Sequence, residues 1–178
     1  MKIVNDNEFQ RLFLARELVS RGLRTLVISS LTGVEPCQVK RLYKLKGESP
    51  KVGQSPKTRT ICKSRMSQVR LSIFASIYLG FIEGRVATRI DPRHLMLSHD
   101  IAQSLCPMPE LDMTVAWSIA TELKIGEVDF PSCPHCGLGY LRIYESNRLP
   151  LSCPFCALRD RISRRRIRHE PICAVRCQ

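Results

Sequence analysis

Residues 133–156 read CPHCGLGYLRIYESNRLPLSCPFC. Two Cys-x-x-Cys pairs flank sixteen intervening residues. A zinc ion takes four soft ligands in a tetrahedron, and two such corners supply them with little strain. Cys133, Cys136, Cys153 and Cys156 are therefore the expected ligands of one Zn2+ per chain. Gly137 follows the first pair and can take the positive φ that turns backbone amides toward the sulfurs. Ala157 follows the second pair without that freedom, so this corner is less plainly a turn. His135 lies between two ligands, and either replaces one or is an exposed spacer. A single Cys-x-x-Cys would suit a redox disulfide. Two matched pairs argue against that reading, and so against a thiol oxidoreductase, which would hold a reversible disulfide and no zinc. Four thiolates also fill the coordination sphere and leave no place for a catalytic water. Tyr140–Tyr144 and Leu149–Leu151 are the expected strands of a hairpin turning at Ser146-Asn147. The motif then spans 131–158 as a small zinc ribbon.

Directly behind the ribbon stands RDRISRRRIRH, part of a basic tail over 159–178 that carries Arg159, Arg161, Arg164, Arg165, Arg166 and Arg168. His169, Cys173 and Cys177 recur every four residues there, either as a partial second site on a helix or as parts of a disordered tail. Across its 178 residues the chain has a net charge of +12, unevenly placed. Residues 39–82 hold ten Lys/Arg against one acid, Glu48, whereas residues 83–132 hold four bases against eight acids. From Cys133 onward there are nine bases and three acids. Charge added only for solubility would not partition this way, and two basic lobes around an acidic middle suit a polyanionic partner, nucleic acid first. The N-terminal MKIVNDNEFQRLFLAR has no apolar run and is not a signal peptide. The most apolar stretch, LSIFASIYLGFI at 71–82, is far short of the ~20 residues a membrane span needs. A cytoplasmic protein without membrane partners is expected, in a compartment where cysteines serve as metal ligands or buried thiols rather than disulfides. Cys37, Cys62 and Cys106 read as small core or surface residues.

Upstream of residue 131 the pattern is mainly α. Asp6 or Asn7 can cap a first helix with Phe9, Leu12, Phe13, Leu18 and Val19 on one stripe, ended by Gly22. A second helix covers Leu23–Leu31 and stops at Gly33, and a third opens near Pro36 and runs to Lys46. GESPKVGQSPKTRT (47–60) reads as a long basic loop. A longer helix from Ser64 to about Gly84 carries Val69, Ile73, Phe74, Ile77, Tyr78, Phe81 and Ile82 on one side. Asp91-Pro92 opens a helix through Leu105, and Asp112 to Lys124 forms the next. With only 6% aromatics, the composition also fits helices better than a β-sandwich. One helical domain over 1–130 is expected, with oligomerisation helices in 67–130 and Trp117 in the core.

Within that domain TLVISSLTGVEPCQVKRLYK (25–44) has the features of a helix-turn-helix. Ser29 is the small residue, Gly33 makes the turn, and Ile28, Val34, Val39 and Leu42 lock the helices. Its outward side would carry Glu35, Lys40, Arg41 and Lys44. The element either contacts DNA or is a scaffold hairpin. The basic loop and the residues after it, over 47–66, add Lys51, Lys57, Arg59, Lys63 and Arg65. Such cations bind phosphates through charge and counterion release. The candidate DNA contacts are thus Lys40, Arg41, Lys44, Lys51, Lys57, Arg59, Lys63, Arg65, Arg164, Arg165, Arg166 and Arg168. There is no glycine-rich phosphate loop, no serine-nucleophile motif and no carboxylate pair beside a histidine, so an enzyme is not expected.

Taken together, LARELVSRGLRTLVISSLTGVEPCQVKRLYKLKGESPKVGQSP (14–56), the Ala116-Trp117 helix and the paired Cys-x-x-Cys resemble the FlhC family, the larger subunit of a bacterial flagellar master activator. The resemblance covers most of the chain in order and spacing. It implies a DNA-binding subunit that assembles with a smaller helical FlhD-like partner and a second copy of itself, holds zinc on the four cysteines, binds promoter DNA and acts on RNA polymerase. A tryptophan-rich segment of flagellar members is replaced here by TRTICKSRMSQVR. That change leaves open flagellar operons or conjugative transfer genes of a mobile element as targets. The alternative class is an RNA-binding zinc-ribbon protein of translation or antitermination.

Overall fold

The structure, a computed structural model, describes residues 6–82, 89–144 and 149–169. Among these, eight helices and one short antiparallel hairpin follow the order α1 (Asp6–Ser20), α2 (Thr25–Thr32), α3 (Pro36–Lys46), α4 (Thr58–Ile61), α5 (Arg65–Phe81), α6 (Pro92–Leu105), α7 (Met113–Ile125), β1 (Val128–Asp129), β2 (Arg142–Ile143) and α8 (Pro154–His169). The chain is mainly α, with its four-cysteine cluster in the C-terminal part.

The helix boundaries follow local chemistry. Gly33, Gly47 and Gly126 close α2, α3 and α7 in the left-handed conformation, where a side chain would be strained. Ser64 and Ser67 cap α5 reciprocally, and the Asp91 and Asp112 carboxylates accept from the first turns of α6 and α7, pairing amides that have no helical partner.

Helices α1, α2 and α3 pack against one another, and α5, α6 and α7 form a second group contacted by α4, α8 and β1. The two groups share one apolar core. It runs from Ala15, Leu18 and Val39 through Leu71, Phe74 and Leu95 to Ile119, extends into the hairpin at Val128, Leu141 and Ile143, and includes Leu149 beyond it. Trp117 packs against it half-buried.

Four expectations change. On α1, Leu18 and Val19 are buried, but Phe9 and Phe13 are 64% and 56% exposed. They share a face with exposed Arg16 and Ser20, while Leu12, Ala15 and Val19 form the inward row. On α5 the buried side is Gln68, Leu71, Ser72, Phe74, Ala75 and Tyr78, and Val69, Ile73, Ile77 and Phe81 are half-exposed. The reason is a polar neighbour. Gln68 donates to the Leu141 carbonyl at 2.8 Å, and the Leu141 amide donates to Ser72 Oγ at 2.9 Å. The basic loop contains the single turn α4, whose Thr58 amide donates to the buried Glu122 carboxylate of α7 at 2.9 Å. Finally, Leu149–Leu151 is not a strand. The hairpin pairs Val128 with Ile143 and Asp129 with Arg142, and adds a bridge between Ser132 and Gly139. Its two arms thus flank the first cysteine pair, which forms the turn, rather than joining through Ser146-Asn147, which lies outside the described residues.

Candidate metal centre and basic surface

The first cysteine corner is a tight turn. The Gly137 amide donates to the Cys133 carbonyl at 2.8 Å, the Cys133 amide donates to the Leu138 carbonyl at 2.9 Å, and Gly137 has φ +74°. The second corner is built differently. Cys153 stands just before α8, Cys156 lies in its first turn, and the Ala157 amide donates to the Cys153 carbonyl at 3.3 Å. A helical turn needs no left-handed residue, so alanine after Cys156 is no obstacle.

These two corners bring four sulfurs together. All four Sγ atoms lie within 4.8 Å of one another, with Cys133 to Cys156 at 3.8 Å and Cys136 to Cys153 at 3.7 Å. A disulfide would need a separation of about 2.05 Å. A tetrahedron with metal–sulfur bonds of about 2.3 Å has edges of about 3.8 Å. The cluster therefore fits a tetrathiolate metal centre, and these four residues could hold a metal ion. Cys133 and Cys153 are buried, whereas Cys136 and Cys156 are partly exposed. His135 is exposed and outside the cluster.

The sulfurs are electrostatically unequal. The amides of Cys136 and His135 point at Cys133 and bring its thiol down to about 6. Cys156 is pushed up to about 12, chiefly by its hydrogen bond to Cys136 and then by burial. Four close thiols cannot ionise together on their own, because each thiolate opposes the next. A divalent cation removes that conflict, since it binds the thiolate form.

Of the candidate DNA contacts, Lys40, Arg41 and Lys44 are exposed on α3, and Lys63 is exposed ahead of α5. The turn before α3 is held by Ser29 Oγ donating to the Val34 carbonyl at 2.7 Å and by the Val34 amide donating to Thr32 Oγ1 at 3.3 Å. Ile28, Val34 and Val39 are buried beneath it and Leu42 is half-buried. The remaining loop cations are engaged within the molecule. Lys51 pairs with Asp112 at 2.7 Å, Lys57 with Glu127 at 3.3 Å, and Arg65 donates to Ser152. Arg59 is exposed beside Glu122 and Glu127, where it lines a cavity with Lys57 and Tyr144. Arg164, Arg165, Arg166, Arg168 and His169 fall on the last turns of α8, with side chains outside the described residues, as are Cys173 and Cys177.

Sequence reading missed Arg65, Gln68, Ser72 and Glu122 as structural links. Each partner lies more than sixty positions away, so no local pattern marks it. No helix among the described residues is long and apolar enough to cross a membrane.

Comparison with known proteins bears on this arrangement as a whole. The family model described as flagellar transcriptional activator (FlhC) matches residues 2–169. The chain is 27% identical to the flagellar transcriptional regulator FlhC of Enterobacter cloacae over 156 residues, covering 84% of this chain and 81% of that protein. It is 27% identical to that of Erwinia tasmaniensis, over 84% of this chain and 86% of the relative. Identity to the Cupriavidus metallidurans protein is 28%, over 84% and 72%. The match spans α2 and α3, the central helices and the cysteine cluster together, and so the chain belongs to the FlhC family of flagellar transcriptional activators.

Proposed function

We propose that this protein is the DNA-binding, zinc-containing subunit of a hetero-oligomeric transcription activator in the bacterial cytoplasm. Membership in a family of transcriptional regulators supports a regulatory rather than an enzymatic role. The observation that carries the DNA reading is the exposure of Lys40, Arg41 and Lys44 on α3, directly after a helix-turn-helix turn locked by buried Ile28, Val34 and Val39. Phosphates are the expected targets of these cations and of Arg164, Arg165, Arg166 and Arg168 on α8. Zinc on Cys133, Cys136, Cys153 and Cys156 is structural in this reading, because four thiolates complete its shell. It joins the hairpin turn to the start of α8, and so fixes where the arginine helix leaves the body.

The further partners are an FlhD-like smaller helical subunit, a second copy of this chain, and RNA polymerase at promoter DNA. The targets are flagellar operons or the transfer genes of a conjugative element. The test is duplex binding across a salt series. Reversing the charge of Arg164, Arg165 and Arg166 weakens binding to all sequences alike and flattens its salt dependence, by a slope of about 1 for each phosphate no longer neutralised. Unchanged affinity would remove the C-terminal helix from the interface. Preference for structured RNA over duplex DNA in the same assay would sink the activator reading in favour of an RNA-binding ribbon.

A further inference from the structure

Cys153 is approached through two residues whose carbonyls are both captured. Tyr140, which packs among the cysteines, donates its hydroxyl to the Leu151 carbonyl at 3.1 Å. Arg65, at the start of α5, reaches across to the next residue. Its Nη1 donates to the Ser152 carbonyl and its Nη2 to Ser152 Oγ, the latter at 2.7 Å. The same Nη1 lies 3.2 Å from Gln68 Oε1, and Gln68 is itself bonded to the hairpin at Leu141. The guanidinium is thus braced from its own helix while it holds the backbone beside a metal-ligand cysteine.

Charge points the same way. Four thiolates around a divalent cation carry two net negative charges, and a half-buried site solvates them poorly. Arg65 lies beside this centre, with its guanidinium bonded to the residue that precedes Cys153. An arginine there stays cationic at neutral pH and offers two parallel donors in a fixed fork, which a lysine cannot reproduce.

We infer that Arg65 is a positioning residue for the metal centre, holding the Ser152 backbone so that Cys153 meets the other three sulfurs and offsetting the charge of the tetrathiolate. This assignment rests on reading the four cysteines as a zinc site, and it withdraws Arg65 from the set of phosphate contacts.

The test uses the full chain, with zinc affinity measured by competition against a chromophoric chelator and cobalt substitution as a spectroscopic probe of sulfur geometry. If the parent binds no zinc, the metal reading itself fails and the role of Arg65 falls with it. If the parent binds one zinc, Arg65→Ala lowers affinity about 10- to 100-fold, the range for groups that orient metal ligands. The cobalt spectrum of that variant stays tetrahedral. Arg65→Lys, which keeps the charge without the fork, falls between parent and Arg65→Ala. Parent-like zinc affinity in Arg65→Ala would overturn the inference. Equal losses in both variants with a fall in far-UV helical signal would overturn it too, in favour of a general folding role. Should Arg65→Ala not fold, Ser152→Ala decides, because it removes one of the two hydrogen bonds. A loss of a few-fold supports the inference, and unchanged affinity defeats it.

Discussion

Single side chains here are informative according to where their partners lie. The four cysteines could be read directly, because metal-ligand spacing is a local property of the chain. Ser72 could not, since its partner Leu141 is 69 positions away. Ser72→Ala leaves the buried Leu141 amide unpaired, and a loss of about 1–3 kcal/mol is expected in chemical denaturation. Asp100 is a second case. Burial pushes its carboxyl up, but the hydrogen-bonded Arg21 guanidinium, with His99 beside it, outweighs this and holds it below the ordinary carboxylate value. A depressed folded-state pKa contributes stability above the unfolded value, and that contribution is lost as pH falls through the folded one. Asp100→Asn should therefore lower the melting temperature at neutral pH and flatten the acid limb below about pH 4. Thermal melts of parent and variant across that range check both points.

At the level of elements, punctuation was legible and pairing was not. Glycines, capping acids and Pro36 mark the limits of α2, α3, α6 and α7 because each satisfies or removes a specific backbone group at a helix end. Gly33 carries a direct test. It has φ +73°, and a Cβ there would meet only the Arg11 guanidinium at 3.7 Å, so the strain of Gly33→Ala is in the backbone rather than in crowding. A cost of about 1–2 kcal/mol follows from the left-handed conformation, with Gly33→Asn milder. Denaturant midpoints of the two variants rank them. The hairpin is the opposite case. Tyr140–Tyr144 does contribute a strand, but its partner is Val128–Asp129, upstream of the cysteines. Alternation along a strand says which residues alternate, not which strand lies opposite. The second cysteine corner was obscure for a related reason: Ala157 looks wrong for a turn and is ordinary in a helix.

For the molecule as a whole, the uneven charge seen along the chain is only partly a surface property. The basic lobe at 39–82 meets the acidic middle in space, through Lys51 with Asp112, Lys57 with Glu127, and Arg70 with Glu110 at 3.0 Å. The cations of α3, by contrast, face outward. Replacing Lys51 and Lys57 with alanine should therefore change duplex affinity far less than replacing Lys40, Arg41 and Lys44. Its effect on stability should stay below about 1 kcal/mol per exposed pair. Parallel binding titrations at one salt concentration separate the two sets, and equal losses would return the loop to the interface. The sequence alone determined the helical class, the turn before α3 and which four cysteines come together, because propensity, capping and cysteine spacing act over a few neighbouring residues. Only the tertiary structure decided which face of α5 is buried, which strand meets Arg142–Ile143, and which basic residues are bound within the molecule. Those outcomes depend on contacts between segments distant along the chain, where buried amides, carbonyls and charges must find partners that no local pattern names.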